Sequence, residues 1–268
     1  MHFDDLIGKA AEIIQGTRKL VAFSGAGMSA ESGIPTFRDP GGLWDRFDPE
    51  EIGTGSGLLN ALMRIPEKIR ALVNETIATF SAAKPNPGHL ALYTLESMGI
   101  LRSIITQNVD NLHGEAGNTR VIEVHGNLYR FRCLSCGRKT TFPRAELFAR
   151  IRQALESIRS FEVPAVMTLL PQCSCGGRMR PDVVMFGEAV QNLPEAFSEA
   201  ESCEVMLVLG TSGVVFPAAA LPERAKFAGA KVIEINPGMS SYRGIADIHI
   251  QKKTGEALPL IVERIQHA

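Results

Sequence analysis

The sequence predicts an α/β chain, a parallel sheet with helices on both faces, carrying a small second domain. Three observations predict it. Short apolar runs alternate with stretches at helical spacing. A glycine-rich turn, Ser24-Gly25-Ala26-Gly27-Met28-Ser29-Ala30, follows the first run, and a polar cluster, Thr106-Gln107-Asn108-Val109-Asp110, ends the next. Parallel strands covered on both faces read as continuous apolar runs and need helical crossovers between them.

Each element follows from local pattern. Leu6, Ala10, Ile13 and Ile14 lie at helical spacing, and Gly16 closes that helix. Strands are expected at 19–24, 102–109, 121–124, 205–210, 231–236 and 247–251, with a helix over 193–202. Two regions interrupt the alternation. From 39 to 84 strands disappear, and 58–80 reads as helices entered through Gly53-Thr54-Gly55-Ser56-Gly57. From 129 to 180 come two cysteine pairs around a helix near 145–158. The expectation is a Rossmann-like core built from 1–38, 85–128 and 181–268, with 39–84 and 129–180 forming the small domain.

A chain of 268 residues with a formal charge of -1 can bury a full core, and its net charge draws it to neither nucleic acid nor anionic membrane. No apolar run approaches the roughly 20 residues that span a bilayer, and Met1-His2-Phe3-Asp4-Asp5 lacks a signal-peptide pattern. Five cysteines, four of them in close pairs, fit thiolates kept reduced better than a disulfide framework. A cytoplasmic protein is expected, with Cys203 a packed thiol; no oligomer is predicted.

Three constellations carry chemistry. The turn Gly25-Ala26-Gly27-Met28-Ser29-Ala30 directly follows a strand, so main-chain N–H groups and an ensuing helix N-terminus could hold a pyrophosphate. A dehydrogenase would next give a helix, a strand and an acidic residue; here the chain runs through Gly33-Ile34-Pro35-Thr36-Phe37-Arg38-Asp39 instead. The polar cluster at 106–110 and His125 mark a pocket for a ribose-bearing cofactor, with His125 as proton acceptor. Cys133-Leu134-Ser135-Cys136 and Cys173-Ser174-Cys175 supply four thiolates, the donor set of a closed structural zinc site. The second pair has one intervening residue, which demands a tight turn.

The run 25–38 closely resembles the signature of the sirtuin family, as do Thr106-Gln107-Asn108-Val109-Asp110-Asn111-Leu112-His113 and Glu123-Val124-His125-Gly126. The same holds for the cysteine pairs, Arg180-Pro181-Asp182-Val183-Val184-Met185-Phe186-Gly187-Glu188, Gly210-Thr211-Ser212 and Ile235-Asn236-Pro237, in family order. The resemblance implies an NAD-dependent protein-lysine deacylase, foremost a deacetylase, that passes the acyl group to ADP-ribose and releases nicotinamide, with one structural zinc. It implies that His125 is the general base, that Asn108 and Asp110 surround nicotinamide and ribose, and that Gln107 bonds ribose. Phe37 would shield the reacting carbon and Arg38 would place the diphosphate. Thr211, Ser212 and Asn236 would meet phosphate and adenosine ribose. Gly25, Ala26, Gly27, Ala30, Thr36, Val109, Gly210 and Pro237 complete the implied cofactor contacts. Acyl-lysine peptides would pair as an added strand against Val183, Val184, Phe186, Gly187 and Glu188 on one side and Val214 and Val215 on the other.

Sirtuins that prefer acidic acyl chains carry a Tyr and an Arg three apart in the helical insertion; no tyrosine lies between Trp44 and Lys84 here. Succinyl- and malonyl-lysine are therefore expected to be poor substrates. Leu58, Leu59, Leu62, Met63, Ile65, Ile69, Leu72 and Val73 could line an apolar acyl channel, or be core at helical spacing. Mono-ADP-ribosyl transfer, using the same NAD cleavage, is the competing enzyme reading, and a non-catalytic NAD-sensing or zinc-stabilised module is the competing binding reading.

Overall fold

The computed structural model describes residues 2–36, 47–157 and 163–268. Its strands, in chain order, are β1 (Leu20–Ser24), β2 (Leu101–Thr106), β3 (Val121–Glu123), β4 (Gly126–Cys133), β5 (Lys139–Thr141), β6 (Met179–Val183), β7 (Val205–Leu209), β8 (Lys231–Ile235) and β9 (Ile248–Ile250). They form two sheets in two compact units. The larger unit holds Met1–Thr36, Lys84–His125 and Val190–Ala268; the smaller holds Gly126–Ala189 with the described part of 37–83.

In the larger unit six strands run in the order β3-β2-β1-β7-β8-β9, with every pairing parallel. β1 and β7 are buried along their whole length. Because successive side chains point to opposite faces, each strand feeds two cores. Leu20 and Ala22 join Leu207 and Ile233 under the helices Phe3–Gln15, Pro87–Ser97 and Thr254–Gln266, through Ile14, Leu92, Leu95 and Ile261. Val21 and Phe23 join Met206, Val208 and Val232 under Leu193–Ser202 and Leu221–Phe227, through Ala196, Ala200 and Leu221. Each fully buried large aliphatic side chain contributes about 1.5–3 kcal/mol of transfer free energy. Helices on both faces of a parallel sheet are what the sequence predicts.

Local chemistry trims the predicted elements. β2 stops at Thr106, short of 109, because the Thr106 hydroxyl accepts the main-chain N–H of Asn108 at 3.0 Å and turns the chain away from the ladder. The first helix reaches Gln15, and Gly16 caps it in the right-handed region at φ −73°, so no left-handed glycine is needed there.

The smaller unit pairs β5-β4-β6 antiparallel. Residues 126–128 and 181–189, which the sequence places in the core domain, belong here, because β6 zips onto β4 from Gly126–Val183 to Cys133–Met179. The Gly-rich entry is itself helical: Thr54 caps Gly55–Arg64 by accepting from Gly57 N at 2.9 Å, and Pro66 starts Pro66–Ala82. The third core joins Ile52, Leu62, Ile69 and Ile77 to Phe131, Leu147 and Phe148. Asp182 is fully buried among Arg130 (2.7 Å), Lys139 (2.8 Å) and Arg132 (3.6 Å), three cations that compensate one desolvated carboxylate. Among the described residues no helix is long and apolar enough to cross a membrane.

Candidate active site and metal centre

Strand order reverses between β1 and β7, and ligands of open α/β sheets bind at the carboxyl ends of strands beside such a switch point. The turn after β1 packs against the end of β7: Gly25 N donates to Leu209 O at 2.9 Å and Gly27 N to Gly210 O at 2.8 Å. A Cβ on Gly25 would strike Thr211, and one on Gly27 would strike the Gly210 backbone, so only glycine permits this approach. The expected helix does not follow. Ala26–Met28 and Ala30–Ser32 are two 3₁₀ turns, and Gly33 at φ 85° ends the second, so a helix N-terminus is not the phosphate site here.

The polar cluster closes around this turn. Asn108 Nδ2 donates to Gly25 O (3.1 Å) and Ser29 Oγ (3.0 Å), which engages both amide hydrogens and leaves Oδ1 as its group for a ligand or water. Ser29 Oγ donates to Asp110 Oδ2 at 2.6 Å, while Asp110 Oδ1 accepts Leu112 N at 2.9 Å. Gln107 Nε2 donates to Thr211 Oγ1 at 3.0 Å, joining the ends of β2 and β7. Asn236 Nδ2 donates to Thr211 O (2.9 Å) and its Oδ1 accepts Gly238 N (3.1 Å), so this side chain fixes the β7 and β8 loops.

His125 Nδ1 lies 3.1 Å from Gln107 O. A carbonyl can only accept, so Nδ1 carries the proton and Nε2 is left as the acceptor, the form a general base needs. Burial holds the imidazole below its ordinary value of 6.5, and the Gln107 carbonyl partly restores it. Asn108, Asp110, Gln107 and His125 thus come together with Gly25, Ala26, Gly27, Ala30, Gly210, Thr211, Ser212 and Asn236 at one end of one sheet. Thr36 Oγ1 is buried with no hydrogen-bond partner among the described residues. Phe37 and Arg38 lie outside the described residues.

The expected peptide residues lie at the end of β6 and in the loop beyond β7. β6 is an edge strand of its sheet but ends at Val183. Beyond it the chain turns, with Glu188 N donating to Met185 O at 3.0 Å and Gly187 at φ 84°. Phe186 N donates to Gly53 O at 2.8 Å. The Glu188 side chain is anchored: Arg180 Nη2 donates to both carboxylate oxygens at 2.6 Å, and Met185 N adds a bond at 3.1 Å. Val214 is exposed and Val215 half-buried in a loop without strand pairing.

All four thiols of Cys133, Cys136, Cys173 and Cys175 lie within 4.8 Å of one another. The Cys133–Cys175 and Cys136–Cys173 sulfurs are 3.6 and 3.7 Å apart, against about 3.8 Å for a tetrahedron with Zn–S bonds of about 2.3 Å. The donor set therefore fits one closed structural zinc. The short second pair is accommodated by a tight turn, with Gly176 N donating to Cys173 O and Cys173 N to Gly177 O, both at 2.8 Å. Main-chain N–H groups of Cys136, at 3.5 Å, and Ser135, at 3.4 Å, pull the Cys133 thiol down to about 6, toward the ligating thiolate. Cys203 is a packed thiol whose burial pushes it up to about 11.

Ser24, Ser29, Asn86, His89 and His113, to which the sequence pattern assigns no individual role, are all buried. Asn86 is buried and fully bonded: Oδ1 caps the helix Pro87–Ser97 at Gly88 N (2.9 Å), and Nδ2 holds Met28 O (2.8 Å) and Ser32 Oγ (3.0 Å) of the glycine turn. Its signal was the cap pattern Asn-Pro ahead of an apolar helix.

Comparison with known proteins fits this geometry. Residues 25–217 match the Sir2 family. An NAD-dependent protein deacylase of Desulfosudis oleivorans is 54% identical over 267 residues, covering 99% of this chain and 98% of the relative. One of Thermococcus kodakarensis is 43% identical, covering 97% and 96%. Among solved structures, a Sir2 homologue in complex with NAD shares 38% identity with a TM-score of 0.78, covering 97% of this chain and 93% of that one. A Sir2 complex with a p53 peptide and NAD shares 31% identity with a TM-score of 0.76, covering 96% and 97%. Matched over residues 25–217 and 54% identical to a relative along nearly its whole length, the chain belongs to the Sir2 family.

Proposed function

We propose that this protein removes acyl groups, acetyl foremost, from lysine side chains of proteins, consuming NAD, passing the acyl group to ADP-ribose and releasing nicotinamide. The observation that carries this reading is the fixed tautomer of His125 beside the buried set of Asn108, Asp110 and Ser29. The relatives, described as NAD-dependent protein deacylases, and a Sir2 homologue variant solved with 2'-O-acetyl ADP-ribose support it. NAD supplies the ribose carbon from which nicotinamide departs when the acyl oxygen attacks.

The chain's own residues do the rest. His125 Nε2 takes a proton from a ribose hydroxyl, and the Gln107 carbonyl holds the opposite N–H so that the protonated ring stays in place. Asn108 offers only Oδ1, because its amide hydrogens hold the glycine turn. Cys133, Cys136, Cys173 and Cys175 would hold a zinc ion that braces the smaller unit, with all four ligand positions filled by thiolates. A reducing, cytoplasmic setting suits four zinc-bound thiolates.

The test is nicotinamide release from NAD with an acetyl-lysine peptide. Release that requires the peptide, with acetyl-ADP-ribose and free lysine as products, is expected. NAD cleavage that ignores the peptide and labels protein with ADP-ribose would establish mono-ADP-ribosyl transfer instead.

A further inference from the structure

Behind the polar cluster lies a second, fully buried set of polar groups. His113 Nε2 is 2.9 Å from Ser24 Oγ, Ser24 Oγ donates to Thr106 Oγ1 at 2.9 Å, and Thr106 Oγ1 accepts the main-chain N–H of Asn108 at 3.0 Å. Ser24, Thr106 and His113 are each at most 3% exposed. The bonds run unbroken from the His113 ring through the Ser24 and Thr106 hydroxyls to the Asn108 main chain, and both hydroxyls can donate and accept along them. The His113 ring also packs against His89, with centroids 4.9 Å apart. Asn86 N donates to His89 Nδ1 at 3.3 Å, so His89 is a neutral ring of known tautomer.

The side-chain bonds of this set end on Asn108, while the Ser24 carbonyl accepts the main-chain N–H of Gln107 at 3.0 Å. The main-chain N–H of Asn108 is where β2 gives way to the loop, and its side chain braces both Gly25 and Ser29. We propose that His113 is a positioning residue for the reaction, setting the Asn108 loop through Ser24 and Thr106 without touching substrate. The inference rests on the deacylase reading of Asn108. A buried hydroxyl pair left without its terminal partner can rotate, and the Asn108 N–H then loses its fixed acceptor.

The variants His113→Gln and His113→Leu separate positioning from packing. A Gln amide falls near the place of Nε2 and can hydrogen-bond Ser24 in either direction, whereas Leu fills the space and bonds nothing. With the full-length protein, NAD and acetyl-lysine peptide, His113→Gln is expected to keep kcat within about threefold, and His113→Leu to lower it about tenfold, the scale of one buried hydrogen bond. NAD affinity should change less than threefold in both. Thr106→Val should reproduce His113→Leu, and the double variant should be no worse than either alone. Equal loss in His113→Gln and His113→Leu, or unchanged kcat in His113→Leu, overturns the proposal.

Hydrogen exchange at the Asn108 main-chain amide tests the same relay without any activity. Protection in the unmodified protein and in His113→Gln, with exchange at least tenfold faster in His113→Leu, is expected; equal protection in all three overturns the relay. Were the unmodified protein to release no nicotinamide with any acyl peptide, the deacylase reading would fall while the exchange result still decided the role of His113.

Discussion

The four-cysteine centre and the polar centre at the ends of β1, β2 and β7 are built on opposite plans. The cysteines come as two short pairs whose thiol chemistry already names a ligand, and their sulfurs need only be brought within 4.8 Å. The polar centre is made of serines, threonines, amides and imidazoles that take their roles from neighbours far away in the chain, as Asn86 does from Met28, 58 positions off. A metal site is specified by its donors, a hydrogen-bonded site by its partners.

Breaking the first plan should cost most. Structural zinc contributes roughly 10–16 kcal/mol of apparent binding free energy in small zinc modules. Cys136→Ser, or a strong chelator, should therefore abolish stoichiometric zinc and lower the melting temperature by at least about 10 °C. Cys203→Ser should leave both nearly unchanged. Metal analysis with thermal unfolding checks this, and a Cys136→Ser protein that keeps one zinc and its full melting temperature would contradict it.

The polar centre should break at its function before its fold. His125→Ala is expected to lower kcat about 10²- to 10⁴-fold, the usual worth of a general base, with NAD binding kept within severalfold. The pH dependence sharpens the point. Burial holds His125 below 6.5, and only its neutral form can accept a proton, so kcat/KM should be level near pH 7 and fall on the acid side below 6.5. An acid limb centred above pH 7 would speak against His125 as the base.

The buried histidine pair behind the centre ties stability to pH. Burial lowers His89 from 6.5 to about 4, and burial together with His89 lowers His113 well below 6.5. The unfolded chain takes up protons as pH falls through 6.5 while the folded chain does not, so the folded state is at full stability above 6.5 and loses it as pH falls toward 4. For His89 alone the whole loss is on the order of 3 kcal/mol. Urea unfolding at pH 7.5 and pH 5 should show it, and His89→Gln should reduce the difference to the part that His113 carries.

What was legible in the sequence follows the same division. β1 and β7 are plain because a strand buried on both faces must be apolar throughout, and the cysteine pairs because thiols at close spacing have few other uses. The loop geometry was hidden. Gly33 ends the turn after β1 before a helix can form, and Thr106 ends β2 with a side-chain bond that no hydropathy pattern reports. The ion pair in which Arg180 holds both oxygens of Glu188 is equally hidden from any hydropathy pattern. His113 sits in plain view in the run 106–113, yet its role rests on Ser24, 89 positions away.

The helical insertion gives the smallest effects and divides its own apolar residues. Leu62 and Ile69 are buried in the third core with Ile65, Leu72 and Val73 packed against it, whereas Leu58, Leu59 and Met63 are exposed. The eight are therefore not one channel. Leu62→Ala should cost about 2–4 kcal/mol through its cavity, while Met63→Ala, at 65% exposure, should stay within about 0.5 kcal/mol. If Met63 and its exposed neighbours meet an acyl chain, Met63→Ala should change the ratio of butyryl- to acetyl-lysine turnover by severalfold with stability intact, since one methylene in an apolar pocket is worth about 1–3 kcal/mol. With no tyrosine between Trp44 and Lys84 to receive an acidic acyl end, succinyl-lysine should remain the poorest substrate in both proteins. Efficient desuccinylation would mean that a different group in the insertion receives the carboxylate.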